Sequence, residues 1–153
     1  MSKTILNLLE PRAVCLHLDA KSAQEVISCL GNQLFQAGYV RDTFVAAVLE
    51  RESQLPTGLP LDGQFNAAIP HTDIEHVIKP GLALATLVEP VNFQNMILPE
   101  ESVPVQLVIL MALEQAKSQV EMLQEVAGVL QNPQLIKKLM EATDFLEIKN
   151  AFS

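Results

Sequence analysis

His71 is the residue whose surroundings point most directly to chemistry. It follows Ala67-Ala68-Ile69-Pro70, a small apolar segment closed by a proline. Proline fixes its own backbone angle and biases the residue before it toward an extended form. The imidazole is therefore expected at a rigid corner, at the end of a short strand over Phe65–Ile69. Reactive groups gather at such strand ends in open α/β sheets. Near pH 7 a neutral imidazole offers one unprotonated nitrogen as base or nucleophile. The next residues, Thr72-Asp73-Ile74-Glu75, fit the Ser/Thr-x-x-Glu capping pattern. A helix starting there would place unpaired N–H groups beside His71, suited to holding a phosphate. Asp73 and Glu75 oppose an anion unless they point away. Read from the residues alone, a loop histidine of ordinary basicity stays open as the alternative.

The other histidines read differently. His17 lies in the apolar stretch Ala13–Leu18 and is expected to be a partly buried structural imidazole. His76 is either a second imidazole at the site or an exposed helix residue. His71 and His76 are not at the i, i+4 spacing of a zinc-binding helix, and the chain has no paired-cysteine motif, so no metal is expected. The Gly-rich nucleotide loops and the Gly-x-Ser-x-Gly elbow are also missing, so no built-in cofactor and no serine hydrolase chemistry are expected. Cys15 and Cys29 read as free buried thiols.

Composition bounds the partners. The formal net charge is −8, and Lys137-Lys138 is the only basic doublet, which argues against nucleic acid and suits a partner with a basic face. No apolar run approaches the roughly 20 residues that span a membrane. The longest, Val103–Leu113, contains Pro104 and Gln106 and reads as a strand. No signal peptide is read at the start of the chain, and a cytoplasmic location without direct membrane insertion is expected.

The positioning elements follow from periodicity. Met1–Pro11 reads as an irregular lead-in or a first strand, and Ala13–Leu18 as a short strand. Ser22–Ala37 has helical spacing and ends at Gly38, a left-handed cap. A second helix is expected over Thr43–Ser53. Leu55–Gly63 is a loop with two prolines and two glycines, long enough to suggest function. Thr72–Val77 is expected to form one helical turn. Leu82–Val88 and Val105–Leu113 are nearly continuous apolar runs, as in strands buried on both faces. Asn92–Val103 reads as a polar, acidic connection between them. Helices are expected over Ser118–Leu130, Gln134–Met140 and Asp144–Ala151. Strands alternating with helices give an α/β class, read as a single domain over residues 1–153 with a mostly aliphatic core.

Asn66-Ala67-Ala68-Ile69-Pro70-His71 resembles the histidine signature of enzyme IIA proteins of the fructose–mannitol class of bacterial sugar phosphotransferase systems. Glu50-Arg51-Glu52 stands about twenty residues earlier, as the Arg-Glu pair does in that family. Leu55-Pro56-Thr57-Gly58, and Pro70-His71-Thr72-Asp73 with His76, look closest to the galactitol-specific branch. The resemblance implies a mixed β-sheet flanked by helices on both sides. It implies phosphoryl transfer from the phosphocarrier HPr to His71, then to a cysteine of enzyme IIB, and on to a sugar taken up through the membrane enzyme IIC. Arg51 becomes the phosphate partner, with Thr57 and Thr72 as hydroxyl donors. Mannitol-type members carry a second active-site histidine, whose counterpart here is Gln119; an amide N–H from Gln119, or the imidazole of His76, would complete the site. A rim of Leu55, Leu59, Leu61 and Ile74 is expected around His71. Two other readings stay open: a regulatory phosphocarrier, and a non-catalytic interaction module in which His71 is structural.

Overall fold

The computed structural model of the chain describes residues 3–153. Its centre is the pair of long apolar runs, β4 (Gly81–Gln94) and β5 (Ser102–Ala112), which form an antiparallel ladder from Gly81 opposite Ala112 to Gln94 opposite Ser102. β1 (Leu9–Leu18) lies parallel to β4, and the two-residue β3 (Ala67–Ala68) lies parallel to β5. The equally short β2 (Gly58–Leu59) runs antiparallel to β3, giving the mixed order β1-β4-β5-β3-β2.

Alternate residues of the central strands feed two cores, because successive strand side chains point to opposite faces. Leu82, Leu84, Leu107, Ile109 and Met111 pack under α1 (Lys3–Leu8), α4 (Ala116–Leu130), α5 (Pro133–Glu141) and α6 (Phe145–Phe152). Ala83, Ala85, Leu87, Val108 and Leu110 pack under α2 (Ala23–Gln36) and α3 (Phe44–Gln54). The sheet is thus covered by helices on both faces, as the unbroken apolar runs require. None of the described helices is long and apolar enough to cross a membrane.

Local signals set the helix ends. Ser22 Oγ accepts from the Glu25 N–H at 3.1 Å, and Asn132 and Asp144 cap α5 and α6 in the same way. This satisfies N–H groups that have no partner within the helix. Gly38 ends the turn after α2 at φ +85°, a backbone angle that favours glycine.

Two expectations fail at the chain's polar stretches. The connection read over Asn92–Val103 is shorter than expected: β4 continues to Gln94 and β5 begins at Ser102, which leaves residues 95–101 between them. Val91, Phe93, Val103 and Val105 are buried while Asn92, Gln94 and Pro104 between them are exposed. This two-residue alternation marks a strand with one wet face, and Pro90 masks it. Pro90 falls where the ladder shifts register between Thr86 and Val91, a place that tolerates a missing N–H. In the lead-in read over Met1–Pro11, of which Met1 and Ser2 lie outside the described residues, the helix α1 leads directly into β1 at Leu9. β1 keeps the buried Glu10, whose carboxylate is held by Arg12 and by the Tyr39 hydroxyl at 3.0 Å.

His17 is exposed rather than partly buried, because its backbone turns to φ 52° at a register shift of β1. Its role is nonetheless structural. Its Nε2 lies 3.1 Å from the Met140 carbonyl in the last turn of α5, and its N–H donates to Thr86 Oγ1 at 2.8 Å. A left-handed backbone costs a non-glycine residue roughly 1–2 kcal/mol, and one hydrogen bond contributes about 1 kcal/mol. Both His17→Ala and His17→Gly lose the contact to Met140, but only glycine relieves the backbone. In urea unfolding, His17→Gly should therefore be the more stable of the two by about 1 kcal/mol; the reverse order would contradict this account.

Candidate functional site

The segment Ile69-Pro70-His71 continues from β3 without a turn or bend and is anchored on the end of β5, where the Met111 N–H donates to the Pro70 carbonyl at 3.0 Å. His71 is 9% exposed. Its Nδ1 lies 2.9 Å from the carbonyl oxygen of Ile69. A carbonyl only accepts, so Nδ1 carries the proton and Nε2 keeps its lone pair. The backbone thereby leaves Nε2 as the ring nitrogen with a free lone pair. Burial pushes the imidazole below its ordinary pKa, and the nearby Arg51 charge adds to this. The Ile69 bond and Asp73 act in the opposite sense. The net direction is downward, so the ring is neutral at pH 7.

Arg51 comes from the last turn of α3. Its Nη1 is 3.5 Å from Asp73 Oδ1, a long and partly exposed ion pair of little energetic weight. Its Nε–H is buried and has no acceptor. An unsatisfied buried donor costs roughly 1–3 kcal/mol, and a phosphoryl oxygen would satisfy it. Asp73, which looked like an electrostatic objection, is exposed and paired with this guanidinium.

The loop after α3 is held by Glu52. Its carboxylate accepts from the Thr57 N–H at 2.8 Å and from the Thr57 hydroxyl at 2.8 Å. Burial raises the Glu52 pKa, and the two Thr57 bonds work against that. The Thr57 hydroxyl proton is thus directed at Glu52 in this arrangement. Thr57 thereby fixes the loop that leads into β2. Thr72 is buried, and its carbonyl accepts from Gln119 Nε2 at 2.8 Å. That bond brings the first turn of α4 against the His71 corner and leaves the second amide hydrogen of Gln119 unused by it.

One expectation is corrected here. The Thr72 capping box does not form, since only a single 3₁₀ turn over Ile74–His76 follows, with Asp73 before it making no side-chain cap. A turn of three residues aligns too few peptide dipoles to hold an anion. His76 is engaged elsewhere: its Nδ1 is 2.9 Å from Thr43 Oγ1 and its Nε2 is 3.7 Å from Glu75. Among the described residues no hydrogen bond or ion pair joins His76 to His71. The structure thus brings together His71, Arg51, Asp73 and, through Thr72, Gln119. The Ile69 carbonyl and the Glu52–Thr57 clamp were missed from sequence. The clamp's signal was a glutamate five residues before a threonine across a helix end. A groove of about 510 Å³ between the Pro60–Phe65 loop and the α4–α5 junction does not include His71.

A desolvated neutral imidazole lies beside a guanidinium with an unused donor, at the strand end of a mixed α/β sheet, an arrangement that can hold an anionic group. Residues 7–153 match the family described as "Phosphoenolpyruvate-dependent sugar phosphotransferase system, EIIA 2", and the chain belongs to it. It is 33% identical over 116 residues to the "PTS system galactitol-specific EIIA component" of Escherichia coli K12, covering 76% of each chain. The crystal structure of the mannitol IIA of Escherichia coli superposes with a TM-score of 0.77 at 27% identity, over 95% of this chain and 99% of that one. The Escherichia coli complex of IIA and phosphorylated IIB for mannitol contains a chain with a TM-score of 0.75 at 26% identity, over 94% and 96%. The chain is a phosphocarrier of the phosphotransferase system and has a transferase role.

The titration of His71 tests this electrostatic description. Followed by NMR, its midpoint should lie below the ordinary value of about 6.5. Arg51→Ala should move it up, and Asp73→Asn should move it down. A midpoint at or above the ordinary value, or one unmoved by both changes, would contradict the description.

Proposed function

We propose that His71 accepts a phosphoryl group from phosphorylated HPr and passes it to a cysteine of enzyme IIB, during uptake of galactitol or a similar polyol. The observation that carries this reading is the Nδ1–H bond to Ile69, which leaves Nε2 as the nucleophile. In the first step the bond from phosphorus to the donor nitrogen breaks as the bond to Nε2 forms. Nδ1 keeps its proton throughout. In the second step a thiolate of the acceptor displaces Nε2, which regains its lone pair. The phosphoryl group is loosely bonded in transit, so the protein positions it and stabilises charge.

Arg51 grips the phosphoryl oxygens, using the Nε–H that has no acceptor in the protein. The second amide hydrogen of Gln119 adds a neutral donor, and the Thr72 hydroxyl can add another. Thr57 acts through the Glu52 clamp. His76 takes no part, because Thr43 and Glu75 hold its nitrogens. The whole chain acts as one cytoplasmic IIA domain without a cofactor, and IIC is reached only through IIB.

Donor and acceptor dock in turn over the same face. Leu55 is 58% and Ile74 38% exposed, while Leu59 and Leu61 are half-buried against the core. The apolar rim is thus narrower than the four residues expected. The acidic chain suits basic-faced partners.

Incubation with enzyme I, HPr and phosphoenolpyruvate should add one phosphate to the intact mass of the wild type and none to His71→Ala. Arg51→Ala should slow uptake roughly 100- to 1,000-fold, the usual effect of losing one oriented donor. His76→Ala should transfer at the wild-type rate. No uptake by the wild type while HPr is phosphorylated would overturn the proposal, and a His76→Ala rate like that of Arg51→Ala would return His76 to the mechanism.

A further inference from the structure

The turn between β4 and β5 exposes three apolar side chains in a row. Met96 is 37%, Ile97 79% and Leu98 45% exposed. Their backbone is nonetheless tightly held. The buried Asn95 side chain accepts from the N–H groups of Ile97 and Leu98 at 2.8 and 3.1 Å. The Asn95 N–H donates to the Glu101 carbonyl and the Glu101 N–H to the Leu98 carbonyl, both at 2.8 Å. Gln94 Nε2 donates to the Pro99 carbonyl at 2.8 Å. The loop thus turns its polar groups on itself and its apolar side chains outward, which leaves apolar surface in water.

The tip is also joined to the scaffold of the His71 site. The Met96 N–H donates to the Gly58 carbonyl at 2.9 Å, and Asn95 forms a β-bridge with Gly58. A Cβ on Gly58 would lie 2.6 Å from the Gln94 carbonyl oxygen, so glycine is what lets the two segments approach. On its other side Gly58 pairs with Ala68, three residues before His71. Two strand spacings of about 4.8 Å therefore separate Asn95 from the strand that leads to His71. Leu55, also exposed, ends α3 at the head of the same loop.

Charge and area select the occupant. Residues 80–116 contain no Lys, Arg or His, and the exposed Glu100 and Glu101 flank the tip. The complementary surface is an apolar pocket rimmed by lysine or arginine. A second copy of the chain offers no such surface, because a twofold contact through the tips brings Glu100 and Glu101 toward their own counterparts. So few side chains also fall well short of the roughly 800 Å² per partner of a standard interface. A phosphoryl donor fits. It carries a phosphate of about two negative charges toward a chain of net charge −8, so its approach needs an attractive contact away from the anion.

We propose that the β4–β5 tip, residues 96–98 with Glu100 and Glu101, is the docking anchor for the phosphorylated donor, which receives it in an apolar pocket rimmed by basic side chains. This rests on the reading of His71 as a phosphoryl acceptor. The tip adds the apolar contact that the narrow rim of Leu55 and Ile74 lacks, and it acts on binding rather than on the transfer step.

The test follows phosphate uptake by the full chain across a range of phosphorylated HPr concentrations. A second assay follows transfer from the already phosphorylated chain to enzyme IIB. Ile97→Ser should raise the KM for the donor about tenfold, leave kcat and the transfer to IIB unchanged, and unfold in urea as the wild type does. Glu100→Gln combined with Glu101→Gln should weaken the salt dependence of uptake. Uptake by the wild type with a KM unmoved by Ile97→Ser would overturn this proposal alone, as would a fall in kcat without a rise in KM or a matching loss in transfer to IIB. A wild type that takes no phosphate would overturn the phosphocarrier reading and this proposal with it.

Discussion

The hydrogen bond between His71 Nδ1 and the Ile69 carbonyl is the constraint on which the rest of the site depends. It reaches back across Pro70 to a carbonyl two residues earlier. The segment is held in place by the bond from Met111 to Pro70, at the buried end of β5. The two covered faces of β4 and β5 thus fix a single nitrogen tautomer at the edge of the protein. Without that bond the ring is free to present either nitrogen.

Around this fixed ring the charges are arranged in pairs that offset each other. Burial and Arg51 keep the imidazole neutral, and Asp73 both moderates that effect and occupies one Nη of the guanidinium. Arg51 therefore retains an unsatisfied Nε–H, a local cost that the proposed phosphoryl group would relieve. Glu52 stands next to Arg51 in sequence but is spent on Thr57.

Much of the fold was legible in the sequence. The unbroken apolar runs announced a sheet covered on both faces, and Gly38, Asn132-Pro133 and Asp144 marked helix ends by their backbone chemistry. The long hairpin was misread because its outer half alternates polar and apolar residues and carries prolines, and proline looks like a break unless its partner strand is known. For the site, the proline before His71 pointed to a rigid corner. The tautomer was not legible, because it depends on where the Ile69 carbonyl points. The Thr72 capping box was a false signal: the pattern matches, but the segment is held by tertiary bonds from Gln119 and Arg41 and winds only one 3₁₀ turn. The Glu52 partner of the Thr57 hydroxyl was not legible because it lies across a helix end.

The central claim concerns one nitrogen, and it can be read directly. The chain would be labelled with ¹⁵N at the imidazole, phosphorylated, and examined for coupling between nitrogen and phosphorus by NMR. The account predicts phosphorus coupled to Nε2 of His71, with Nδ1 still bearing its proton. Phosphorus on Nδ1, or on another residue, would contradict it.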